Sequence, residues 1–546
     1  MTVMGFVEEE LAQMWADLLG ATGVTLASDW GALGGRPEAA GVLAARIDEE
    51  LGARVEPAGL LGAATLEGMA RLVREAMAAR NAAARPQGAG PAGPRAVARP
   101  ERPPLSFAQQ RLWFMQEIDP GTTLYNVPTA LRLRGDLDRG RLGRALAALV
   151  ARHEVLRTTY RTESGVPHQA VGALEDFALP YTDLTAAASP EDEAARIAAE
   201  EGAHVFDLAA GPPLRARLLR TAEDAHLLVV TFHHIAVDGW SVGLFFRGLG
   251  ELYGGAEPAA PALQYADYAL WQREHLRGAV LDDLTAHWRA VLGTDPQALA
   301  VPTDHPRPRH RSFRGAVATR ALPPELVSRL REFAAGERGT LTMALLAGFQ
   351  ALLAGWCEAD DVTVGVPVAG RTRPELQDLM GCLINMVPVR VGLGGDPAFR
   401  ALLARTRTAL LDASAHQDLP FDKLVEALVS RRGRDFLPVF RVMFSFLKEQ
   451  PEPVFDGLER CSPDLTGPQD TAKYDLSLYA QESGAGVALT LEYDTDLFGP
   501  DTPAALLAAY EQTLHDATTF PDRPVLDLPA VRFRVPGTER NPHRDR

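Results

Sequence analysis

Cysteine is scarce in this chain, with only Cys357, Cys382 and Cys461 among 546 residues and no paired spacing. That excludes a disulfide framework and leaves buried thiols in a reducing compartment as the expectation. Long apolar runs are also missing, since none approaches the ~20 residues that a bilayer-spanning helix needs. The opening MTVMGFVEEE lacks a basic segment followed by an apolar one, so it does not read as a targeting leader. Positive charge is in deficit: 55 Lys and Arg face 71 Asp and Glu, the formal net charge is −16, and no basic run marks a face. Neither nucleic acid nor a membrane is therefore an expected partner, and a cytoplasmic protein is expected. Serine is nearly absent from the first 86 residues, where Ser28 stands alone.

What is present supports sizeable cores. Hydrophobic residues make up 46% of the chain, and its length suggests several domains. Residues 1–82 show helical spacing, with Phe6, Leu11, Trp15, Leu18 and Leu19 on one helix, Ala39–Leu51 as a second and Thr65–Met77 as a last. Residues 83–104 contain RPQGAGPAGPRAVARPERPP, too rich in Pro and Gly for a packed element, and read as a linker. From 105 to 532 strands and helices alternate in two halves, about 105–280 and about 281–532, and 533–546 is a polar tail. Strands are expected at Thr129–Gly135, Gly315–Leu322 and Val362–Pro367, with helices at Arg139–His153 and Leu341–Trp356. VPTDHPRPRHRSFRG (Val301–Gly315) is Pro-rich and basic and reads as a solvated crossover, or as a surface that meets a partner's phosphates.

The densest chemistry lies in HLLVVTF-HHIAVDG-WSVGLFFRGLGELY, from His226 to Tyr253. An apolar run, Leu227–Phe232, reads as a buried strand. After Gly239, residues Val242, Phe245, Phe246, Leu249 and Tyr253 recur with helical spacing. The loop between them holds His233, His234 and Asp238. Such residues can be satisfied core groups or turn chemistry. They can also be metal ligands, although no further donor lies close enough in sequence to complete a site. A third reading is a base with a carboxylate that orients its loop.

HHIAVDG resembles the HHxxxDG signature of nonribosomal peptide synthetase condensation domains. The likeness continues in LSFAQQRLWFMQ (Leu105–Gln116), RHEVLRTTY (Arg152–Tyr160), QYADYALWQRE (Gln264–Glu274), VGVPVAGRTRPEL with GCLINMVPVR (Val364–Arg390), HQDLPFDKLVEAL (His416–Leu428) and FRVMFSF (Phe440–Phe446). DWGALGGRPEAAGVLAARI similarly resembles a peptidyl carrier protein motif. Pro37 stands where that motif has the serine that takes phosphopantetheine.

The resemblance implies an α/β fold of two chloramphenicol acetyltransferase-like lobes in a V around a tunnel. It adds an N-terminal all-α carrier-like bundle that cannot be loaded. It implies amide or ester formation between a carrier-bound acyl or aminoacyl thioester and an amine or hydroxyl. His234 is then the base or orienting group, and His233 packs behind it. Asp238 pairs with Arg371 across the lobes, while Gly239 leaves main-chain amides near the tunnel. Arg157 and Trp240 support the site. No metal and no covalently bound cofactor is implied, because phosphopantetheine arms arrive on partner carriers. The donor carrier is expected to act in trans on a stand-alone enzyme, with a second carrier or a free amine or alcohol as acceptor. The DGWS form resembles the subclass that joins two L-configured residues. A silent recruitment domain, an epimerisation domain and an acyl-CoA-dependent HxxxD acyltransferase are the rival readings.

Overall fold

The run before the paired histidines forms the central strand of a sheet because both of its faces are covered. Strand Ala225–His233 lies antiparallel between Asn126–Gly135 and Leu214–Ala222. Successive side chains alternate between faces. Leu228, Val230 and Phe232 pack with Leu142, Leu146, Val242 and Phe245 of helices Arg139–Arg152 and Gly239–Tyr253. Leu227 and Val229 pack with Ala194, Ile197 and Ala198 of helix Pro190–Gly202. With apolar layers on both sides, the strand has no polar alternation.

The computed structural model describes residues 6–21, 23–51, 53–83, 93–173, 177–429, 437–447, 453–459, 463–464, 470–484 and 486–532. Cys461, part of the 83–104 linker and the 533–546 tail fall outside these. In the second half, six strands are ordered 315–322, 486–494, 476–483, 442–447, 361–368 and 385–392. Strand 442–447 runs parallel to both neighbours. Helix Leu341–Trp356 is buried along almost its whole length in that half's core, and the Thr340 side chain caps it by accepting from the Met343 N–H.

Two segments of the second half cross onto the first. Leu376, Leu379, Met380, Cys382 and Leu383 pack into the same core as Val242 and Phe245. Farther along, Leu458–Glu459 and Pro463–Asp464 pair antiparallel with Asn126–Gly135, and Phe455 packs on Tyr253 with ring centroids 5.7 Å apart. Sequence periodicity signals neither crossing, because short irregular segments carry no period.

The basic stretch 301–315 is exposed or half-buried at every position but Val301, yet two of its arginines are engaged. Arg307 donates to both oxygens of the fully buried Asp475, and Arg311 donates to the buried Asp494. These two charges neutralise carboxylates at the end of the sheet, since a buried charge must be paired, while Arg309, His310 and Arg314 stay exposed.

In the N-terminal region, helices Phe6–Leu19, Pro37–Leu51, Pro57–Ala63 and Leu66–Ala83 enclose a core containing Leu11, Trp15, Leu43, Ile47, Met69 and Val73. The short third helix is additional to the three expected. Pro37 begins its helix with its side chain exposed, in a position where its missing N–H costs nothing. Ser28 is a turn residue whose Oγ accepts from the Thr25 N–H at 2.8 Å. Among the described residues, no single helix is long and apolar enough to cross a membrane.

Gly250 gives a test of the second crossing. A Cβ there would fall inside van der Waals contact of the Val454 carbonyl oxygen. Alanine normally favours a helix over glycine by about 1 kcal/mol. Here Gly250→Ala should instead destabilise the protein by about 1–3 kcal/mol through overpacking. Denaturant unfolding would decide, and a stabilised variant would contradict the close approach.

Candidate functional site

Asp238 caps the helix that follows the histidine loop, its side chain accepting from the Ser241 N–H at 2.8 Å. A capping carboxylate complements the positive end of the helix dipole. The same carboxylate accepts from the Leu383 N–H at 2.9 Å. Arg371 donates Nη1–H to Oδ2 at 2.8 Å and Nη2–H to Oδ1 at 3.1 Å, a bidentate pair in which both side chains are 2% exposed. Burial pushes the Asp238 carboxyl upward, but the Arg371 charge, its hydrogen bonds and the two amides together outweigh it. The net result lies below the usual carboxylate range.

Both terminal nitrogens of Arg371 are further engaged. They donate to the carbonyls of Ala369 and Leu379 and to Ser241 Oγ. Ser241 Oγ in turn donates to the Gly381 carbonyl at 2.8 Å and accepts from the Gly381 N–H at 3.0 Å. Trp240 donates its indole N–H to the Gln377 carbonyl at 2.8 Å and lies under the guanidinium. Gly370 and Gly381 have positive φ, and a Cβ on either would collide with Leu383 or Tyr265. Only glycine lets the segment from Gly370 to Leu383 seat this closely.

The two histidines have different surroundings. His233 is buried; its Nδ1 accepts from the Ile235 N–H at 3.1 Å, and its ring stands edge-on to Phe206. Burial, with His234 alongside, pushes its pKa down to about 3. His234 follows the last strand residue, its N–H donating to the Tyr125 carbonyl at 2.8 Å. It is half-buried at the wall of a cavity of about 630 Å³. Its Nδ1 lies 3.7 Å from Cys382 Sγ, which leaves Nε2 for a ligand. Burial first, and then the Lys473 ammonium, push its pKa down to about 4, so the imidazole is neutral near pH 7.

Both halves build the cavity. Arg111, Tyr125, His234, Gly239 and Trp240 come from the first, and Arg371, Met386, Phe421, Lys473, Tyr474 and Tyr479 from the second. Of the residues singled out from sequence, His234, Asp238, Gly239, Trp240 and Arg371 meet here. His233 stands behind them. Arg157 does not line the cavity: it ends the turn Glu154–Arg157 and donates to the Gly172 and Ala151 carbonyls, strapping that turn in place. Lys473, which lies 5.3 Å from the Tyr125 ring centroid, Tyr474 and Cys382 are site residues that sequence reasoning missed. Arg111 and Cys382 sit inside quoted motifs, whereas nothing local distinguishes Lys473.

The clamp and the imidazole can each be tested. Asp238→Asn leaves Arg371 buried without a counter-charge and should cost about 3–5 kcal/mol of stability; a calorimetric melt matching the unsubstituted protein would contradict the clamp. A free imidazole takes up its proton near 6.5, but this folded site resists until about 4, so acid favours unfolding between those values. In NMR of labelled histidine, the His234 ring should stay neutral down to about pH 5, and titration near 6.5 would contradict its burial.

The family described as Condensation domain matches residues 101–532. A linear gramicidin synthase polypeptide of Brevibacillus parabrevis is 38% identical over 537 residues, covering 96% of this chain but 7% of that protein. The chain spans a tenth or less of the first curated relatives it matches. A solved complex of the X-domain and OxyB from teicoplanin biosynthesis is 31% identical with a TM-score of 0.73, covering 81% of this chain and 99% of the matched one. The first condensation domain of the calcium-dependent antibiotic synthetase, in complex with a substrate analogue, shares the fold at a TM-score of 0.67 and 23% identity, over 78% of this chain and 98% of that one. With a family match over most of its length, a two-half α/β fold and these relatives, the chain belongs to the condensation-domain family of nonribosomal peptide synthetases.

Proposed function

We propose that this chain joins a carrier-bound acyl or aminoacyl thioester to an amine, or to a hydroxyl, with His234 Nε2 at the reacting centre. The observation that carries the reading is a single neutral imidazole on the wall of a cavity shared by two halves, its loop fixed by a buried ion pair. The acceptor nitrogen attacks the thioester carbonyl. A C–N bond forms, the C–S bond breaks, and the pantetheine sulfur leaves with the proton that the amine gives up. An imidazole with a pKa of about 4 is a weak resting base. Its main contribution is to accept a hydrogen bond from the amine and aim the nitrogen lone pair at the carbonyl. Main-chain N–H groups at Gly239, where the helix begins, would stabilise the oxyanion.

Residues 1–82 are proposed to be a carrier-like unit that is not loaded. The phosphopantetheine arms would come from other carriers, the donor acting in trans. The alignment with the gramicidin synthase polypeptide extends over 96% of the chain, which supports reading the helical unit as part of the same synthetase architecture. A second reading, recruitment of a partner enzyme without catalysis, is favoured by one observation: the likeness to an X-domain solved in complex with OxyB.

Incubation with loaded donor carriers and candidate acceptors, followed by intact-mass analysis of the carriers, separates the readings. His234→Ala should slow single-turnover transfer by about 10²–10⁴-fold while the melting temperature holds. A variant as fast as the unsubstituted protein would defeat the catalytic reading, and binding without transfer would favour recruitment. The protein should also show no mass gain with a phosphopantetheinyl transferase, since Pro37 has no hydroxyl; uptake on residues 1–82 would overturn that assignment.

A further inference from the structure

The charges that line the cavity beside His234 do not all find partners. Arg371 is paired with Asp238, Arg111 stands 3.9 Å from Asp422, and Glu426 is paired with Lys423 at 2.7 Å. Lys473 remains, and among the described residues no carboxylate forms an ion pair with its ammonium. The carboxylate whose charge acts on it most is that of Glu492, which does not line the cavity. Glu492 is engaged otherwise, accepting from the Lys473 main-chain N–H and from the Ser477 hydroxyl at 3.3 Å.

The bend that carries Lys473, just before strand Leu476–Ser483, is anchored on both sides. The Ala472 N–H donates to the Phe313 carbonyl at 2.9 Å, and the Asp475 N–H to the Arg441 carbonyl at 3.0 Å. Arg311 donates to the Lys473 carbonyl at 3.1 Å. With the main chain held, the side chain reaches the Tyr125 ring, Nζ lying 5.3 Å from its centroid. Tyr125 is the residue whose carbonyl accepts from the His234 N–H, so the ammonium stands close to the imidazole. Burial lowers the Lys473 pKa, Glu492 opposes that shift, and Arg111 adds to it. Arg111 has its own unmet demand, since its buried Nε–H makes no hydrogen bond. A cation that has lost hydration without gaining a counter-charge is costly, and a ligand carboxylate reverses that cost.

We propose that Lys473 anchors a carboxylate carried by one of the two substrates, so that the protein selects an acidic aminoacyl donor or an acidic acceptor over its amide isostere. The inference rests on reading the cavity as a condensation site. Because the ammonium stands beside the imidazole, the carboxylate lies a few bonds from the reacting carbonyl or amine, the length of an aspartyl or glutamyl side chain. A neutral amide of the same shape leaves the ammonium without its counter-charge, and this is where discrimination arises.

The test is binding to the full chain, measured by titration calorimetry, which needs no transfer to occur. Two probe pairs each differ only in a carboxylate against a primary amide: glutamyl and glutaminyl pantetheine analogues with a non-hydrolysable amide link for the donor, and the α-amides of glutamate and glutamine for the acceptor. In one pair the acid should bind about 10–100-fold more tightly, the range of one charge-assisted hydrogen bond. That pair identifies the substrate that bears the carboxylate. Lys473→Met should erase the preference, with Lys473→Gln in its place if the first variant fails to fold. Each ratio is taken within one protein, so an altered environment at His234 cancels. No preference for the acid in either pair, or a preference that survives the substitution, would overturn the proposal. An acid preference in binding without transfer would support the carboxylate site and count against the catalytic reading alone, whereas transfer without acid preference would count against the carboxylate site alone.

Discussion

The carboxylate of Asp238 is the group on which the site depends. Buried ionic groups cost several kcal/mol each when unpaired, and Asp238 meets that demand with acceptors directed at three places at once: its own helix, the Leu383 amide and the Arg371 guanidinium. The pair adds little net stability compared with an apolar filling of the same shape. Its value is geometric. The contacts to Leu383 and Arg371 tie the histidine loop to a segment of the other half, and the guanidinium is held by four further acceptors or rings, so the loop has one position and His234 has one direction.

From that constraint follow the cavity and its electrostatics. Because the clamp draws residues 371–383 into the first half's core, the seam between the halves stays open beside it, and His234 stands at that opening. Burial and a nearby ammonium keep the ring neutral. A neutral ring can accept a hydrogen bond from an incoming nucleophile without first losing a proton. The thiol of Cys382, held neutral by a pKa pushed up to about 12, backs the other ring nitrogen.

How much of this is legible in the sequence depends on whether a residue's role is local. The central strand, the helix after the histidine loop and the helix 341–356 are readable because burial imposes a period or an unbroken apolar run. His234, Asp238 and Gly239 are readable because they sit in one loop. Arg371 is assigned only through family likeness, since nothing near it in sequence points to a partner in the other half. Arg157 is misplaced by the same route: its motif resembles the family's, but its side chain serves its own turn. Lys473 and the short strands Leu458–Glu459 and Pro463–Asp464 give no signal, because a cavity wall or an edge pairing is set by tertiary contact.

If the Asp238–Arg371 pair acts as one unit to hold His234, the two residues must be strongly coupled. A double-mutant cycle of Asp238→Asn and Arg371→Gln, read in both unfolding free energy and single-turnover transfer rate, measures that coupling. About 2–3 kcal/mol is expected in stability, with the double variant losing little more activity than either single one. Additive losses in both readouts would mean that the two residues act separately and that the clamp does not aim the imidazole.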